Sequence, residues 1–132
     1  MKNKSGQSLI EVVFSMGVVI LVLVGVVMLM VVTAKAKRIA WERQKAIELS
    51  QLLIDEGINY LKDEDNSLNF WNSSSDLNNT TGLTETRNDF PGYSYNTSFL
   101  DCTSSSCRIV FTITWGDSQS LSVERLFSRA GL

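Results

Sequence analysis

Three side chains in this sequence are placed to do chemistry: the carboxyl of Glu11 and the thiols of Cys102 and Cys107. Glu11 stands directly before Val12–Val32, a run without charge in which only Ser15, Gly17 and Gly25 interrupt Val, Leu, Ile, Met and Phe. An ionised carboxyl at the edge of a bilayer core costs about 2.5–3.5 kcal/mol on insertion scales, so a cation is needed to offset it. "CTSSSC" sets Cys102 and Cys107 across a tight loop, an arrangement useful in an oxidising compartment and idle in a reducing one. A disulfide between them is expected, with free thiols as the other reading. It would add about 2 kcal/mol by loop entropy and would fix strand register more than stability.

The rest of the composition removes whole classes of function. There is no histidine, the commonest general base and metal ligand. Two cysteines are too few for a Cys-only zinc site. Asp63, Asp65 and Ser67 hint at a calcium loop, but an EF-hand wants Gly at Leu68 and Glu at Ser74, so a solvated helix end is the expectation. The carboxylates are scattered and no nucleophile–base pair stands out. No catalytic residue, cofactor or metal is therefore expected, and the chain is not read as an enzyme. A formal net charge of −2 argues against bulk attraction to nucleic acid.

Val12–Val32 as a helix covers about 31 Å, one hydrocarbon core. A buried core helix is disfavoured because no second segment is apolar enough to surround it. A cleaved secretory signal is disfavoured because the run exceeds an h-region, although "TAKAK" does contain Ala34-Lys35-Ala36. The run reads as a single membrane helix that stays in the chain. Its orientation is contested. Lys2 and Lys4 precede it while Lys35, Lys37, Arg38, Arg43 and Lys45 follow, and counting bases alone puts the C-terminal part in the cytoplasm. The cysteines favour the opposite.

Residues 34–62 contain no proline and continue as an amphipathic helix, with Ile47, Ile54, Ile58 and Leu61 at helical spacing, Leu53 beside them, and Ala46, Ser50 and Gly57 on the same flank. Glu42, Lys45, Glu48 and Asp55 line a charged side. Residues 63–89, rich in Asn, Ser and Thr, read as a polar loop with Phe70 and Trp71 as packing anchors. Residues 90–132 change period: "YSYNTSF" and "RIVFTITW" alternate, a "GDSQ" turn follows, then "SLSVERLF". These strands make an antiparallel meander whose apolar face covers the helix stripe. The fold class is α+β, a long N-terminal helix packed on a three- to four-stranded antiparallel sheet.

The basic leader, the Gly and "QSLIE" running straight into an apolar helix resemble the precursors of type IV pilins and type II secretion pseudopilins. The resemblance implies a leader over residues 1–6, cut by a prepilin peptidase between Gly6 and Gln7, N-methylation of Gln7, and a filament-core helix over 7–33. It implies that Glu11, fifth after the cut, pairs in assembly with the freed amine of a neighbouring subunit. That amine stays cationic, and the pair is strong in low dielectric. It also implies a bacterial inner-membrane location with the C-terminal domain outside, against the base count, and a cell-surface pilus or periplasmic pseudopilus after assembly. Other pilin subunits, the inner-membrane assembly platform, the peptidase and the lipid bilayer are the implied partners. Two departures stand out: Gln7 replaces the family's usual Phe, and no Pro occurs between residues 7 and 61, which favours a minor subunit over the bulk one. The end of the chain, "TITWGDSQSLSVERL", resembles minor pilins of the assembly tip more loosely. Two other readings stay open: an uncleaved single-pass membrane-anchored binding protein, and a tip subunit that touches DNA through Lys35, Lys37, Arg38, Arg43 and Lys45 near Trp41. Glu42 and Glu48 balance that basic cluster.

Overall fold

The computed structural model describes residues 5–77 and 79–131 and divides the chain into two units, Met1–Trp41 and Glu42–Leu132. The helix α1 runs Ser5–Lys62. In the first unit, no described residue covers its apolar stretch. Twenty large apolar side chains between Leu9 and Val32 stay 43–75 % exposed. At about 1.5–3 kcal/mol for each such side chain taken fully out of water, the unmet burial amounts to tens of kcal/mol. Among the described residues, this is the one helix long and apolar enough to cross a membrane.

The second unit is the α+β part. α2 (Glu64–Leu77) follows α1, then β1 (Glu85–Thr86), β2 (Tyr93–Leu100), β3 (Ser106–Trp115) and β4 (Gln119–Ser128), with a 3-10 turn at Arg129–Gly131. The strands pair in the order β1-β2-β3-β4, all antiparallel. β3 is central and alternates as its sequence does: Cys107, Ile109, Phe111, Ile113 and Trp115 are buried. Gly116, at φ 60°, makes the turn that brings Gln119 opposite Trp115.

The C-terminal part of α1 supplies the helical side of the core. Ala46 and Leu49 are fully buried, with Ser50, Leu53 and Leu61 close behind, while Ile47 is exposed and Ile54 and Ile58 are half-buried. The stripe therefore lies about one position away from the one expected around Ile47. The small Ala46 and Ser50 sit at its centre. The Cβ of an alanine at Gly57 would lie 3.6 Å from the Phe127 ring of β4.

Residues 63–89 are not the polar loop expected. Most of the segment is α2, and β1 edges the sheet. Asp63 caps the helix: its Oδ1 accepts from the Asn66 N–H at 3.2 Å and its carbonyl from the Ser67 N–H at 2.8 Å. Glu64 and Asp65 then sit in the first turn, where the helix dipole favours negative charge. The acidic cluster that hinted at calcium is a helix start. α2 buries Trp71 and Ser74, and Phe70 meets the Trp71 ring edge-on at 5.0 Å.

Candidate functional site

In the first unit the candidate site is a helix and its two ends. Gly6 and Gln7, the expected cleavage and methylation position, fall within α1, while residues 1–4 of the leader and the side chain of Gln7 lie outside the described residues. Glu11 is exposed and forms no ion pair with any described residue. The helix holds its own polar side chains inside the apolar stretch. Ser15 Oγ donates to the Val12 carbonyl at 2.8 Å, and Thr33 Oγ1 to the Leu29 carbonyl at 2.7 Å. Both hydroxyls are thereby satisfied without water, as a lipid environment requires. At the far end, Lys35, Lys37 and Arg38 are exposed, with Trp41 beyond them.

The basic cluster proposed to touch DNA continues into the second unit with Arg43 and Lys45, and Lys45 is engaged there. Lys45 pairs with Glu48 at 2.8 Å and lies 5.8 Å from the centre of the Phe90 ring. The Glu42 carbonyl accepts from the Tyr93 hydroxyl at 3.0 Å. Burial, and then the Glu42 carboxylate, push the Tyr93 phenol pKa up. Among the described residues, no group of three His, Cys, Asp or Glu could hold a metal ion.

The second unit carries two features of its own. The first is the cysteine loop between β2 and β3, closed by a disulfide between Cys102 and Cys107. Both cysteines are buried. The Ser74 hydroxyl of α2 donates to the Thr103 carbonyl at 2.6 Å, and the Arg129 N–H to the Ser105 carbonyl at 2.9 Å. The bridge thus holds a loop to which α2 and the end of the chain are both tied. The second feature is an apolar cleft of about 510 Å³, lined among others by Leu53 and Leu61 of α1, Phe70 of α2, and Phe99 and Phe111 of the sheet.

Glu56, Glu85 and Tyr95 also line that cleft. Glu56 takes a 2.6 Å ion pair from Arg87, and Glu85 accepts from the Tyr95 hydroxyl at 2.7 Å. The hydrogen bond that Arg87 donates to the Glu56 carboxylate raises the Arg87 pKa further, so that guanidinium is permanently cationic. Burial, helped by the hydrogen bond to Glu85, pushes the Tyr95 phenol up to about 12. These residues lie far apart in sequence, and none carries a spacing signal that could have marked the cleft. The start of α2 did carry one, the Asp63 cap ahead of Ser67, Phe70, Trp71 and Ser74 at helical spacing.

No protein-family model, curated protein or solved structure matches this chain.

Proposed function

We propose that the chain is a membrane-anchored structural subunit of the type IV pilin and pseudopilin kind, most like a minor subunit, assembled through its N-terminal helix. The observation that carries the reading is the exposed apolar stretch of α1 with one carboxylate, Glu11, at its threshold. Such a stretch needs lipid or sister helices around it, and its acid needs a cation. Cleavage between Gly6 and Gln7 would supply that cation as a free amine four residues before Glu11. The work is mechanical, and the reaction is performed on the chain by a prepilin peptidase.

The disulfide supports an extracytoplasmic second unit, since such bonds persist in oxidising compartments. The uncleaved, inward-facing anchor remains the second reading because Lys35, Lys37 and Arg38 crowd the far end of the span. A Gly6→Val substitution distinguishes them. Processing that stops, read as slower migration on a gel when the peptidase is present, supports the subunit reading. Migration identical to the unsubstituted chain contradicts it.

A further inference from the structure

The apolar stretch of α1 ends in a feature that membrane insertion alone does not need. Val26, Leu29, Met30, Thr33, Ala34 and Lys37 line a furrow of about 400 Å³ along one side of the helix. Their spacing is that of a single helical face. The short side chains of Thr33 and Ala34 leave the hollow, and the Thr33 hydroxyl is occupied by the Leu29 carbonyl at 2.7 Å. The walls are thus apolar from Val26 to Ala34, and one ammonium, that of Lys37, closes the end. From Val26 to Lys37 the helix rises about 16.5 Å, roughly the depth of one bilayer leaflet. Lys37 is exposed, and its four-carbon stem can lie along apolar surface while the charge reaches the headgroup level.

Charge selects the occupant. Lys35 and Lys37 lie beside the furrow with no acid from Val12 to Trp41, while Glu42, four residues after Arg38, offsets the charge only farther from the apolar stretch. A zwitterionic headgroup would bring its own cation into this field, whereas an anionic one brings none. We propose that the furrow is a binding site for one anionic phospholipid, its acyl chain laid along Val26–Ala34 and its phosphate at Lys37. The bound lipid would fix the depth and rotation of the helix, with the water boundary at Ala34. The site rests on α1 lying in a bilayer, as proposed above, and is indifferent to which side of the membrane the second unit occupies.

The test uses the full chain in phosphatidylcholine vesicles that contain phosphatidylglycerol or phosphatidylcholine brominated near the headgroup. Quenching of Trp41, one turn beyond Lys37 and 59 % exposed, reads lipid occupancy, while Trp71 and Trp115 are buried and supply a constant background. Brominated phosphatidylglycerol should be preferred, and Lys37 should supply about fivefold of that preference, the worth of one base near an anionic surface. Lys37→Gln should lower the preference about fivefold, leaving what Lys35 and Arg38 contribute. Ala34→Leu fills the furrow without altering charge and should do the same. Millimolar glycerol phosphate in solution should not restore fluorescence; if it does, the site takes free phosphate and the lipid proposal fails. Equal quenching by both lipids, or a preference unchanged by either substitution, overturns the proposal. Flotation with the vesicles separates the two levels of inference. A chain that floats without lipid preference contradicts this site alone, and a chain that does not float contradicts the membrane reading and the site together.

Discussion

Replacing Trp71 tests whether α2 is a packed helix, and the two natural replacements should diverge. Trp71 is 1 % exposed and sits against Phe70, yet its indole N–H has no hydrogen-bond partner among the described residues. Trp71→Ala removes the whole ring and leaves a cavity, at a cost of about 3–5 kcal/mol. Trp71→Phe keeps most of the apolar body and loses about 1–2 kcal/mol of burial. It also deletes a buried unpaired donor, whose desolvation costs about 1–3 kcal/mol. The two effects oppose each other, so Trp71→Phe should fall between a loss of about 1 kcal/mol and a gain of about 2 kcal/mol. Urea unfolding of the full chain in detergent micelles, followed by near-ultraviolet circular dichroism, reports on the second unit while the apolar helix stays in the micelle. Phe as damaging as Ala would mean that the indole has a partner. A cost below about 1 kcal/mol for Ala would mean that residues 64–77 are loosely attached after all.

Other substitutions probe other joints. Gly57→Ala should raise the stability by about 0.5–1 kcal/mol, because a mid-helix glycine is costly and the new Cβ meets Phe127 at an ordinary 3.6 Å; a lower urea midpoint would show a tighter helix–sheet approach. Reducing the Cys102–Cys107 bridge should cost about 2 kcal/mol in the same urea assay, and an unchanged midpoint would contradict its place between two tied segments. For Tyr95, a phenol at about 12 in the fold against about 10 unfolded means that the neutral form is favoured by folding. Its contribution is intact below pH 10 and is lost as pH rises toward 12. Tyr95→Phe should therefore lose less stability than the parent chain across that window, and parallel losses would refute the assigned cause.

The parts legible in the sequence were those where one pattern dominated. The uncharged run after Glu11 was too long for a secretory signal and had no apolar partner segment to make it a core helix, and the alternation Ile109, Phe111, Ile113, Trp115 marked which face of β3 is buried. The phase of the α1 stripe was harder to read. Ile47 looks like core by type, but the burial of the smaller Ala46 and Ser50 turns the helix so that Ile47 faces out. α2 was hidden by composition: its Asn and Ser residues are weak helix formers, and only the Asp63 cap and the Phe70–Trp71 anchor overrule them. Along the cleft, Glu56 is joined to Arg87 and Tyr95 to Glu85 through the fold alone. At the other extreme, Glu11 was conspicuous in sequence because it borders an uncharged run, and it forms no ion pair among the described residues.

The central claim is that Glu11 waits for a cation made by cleavage. The most direct measurement is the intact mass of the chain recovered from cells that carry a prepilin peptidase, together with its N-terminal fragment. A mature chain beginning at Gln7, with or without one added methyl group, is the predicted result. A chain still beginning at Met1 would leave Glu11 without its counter-charge and contradict the account.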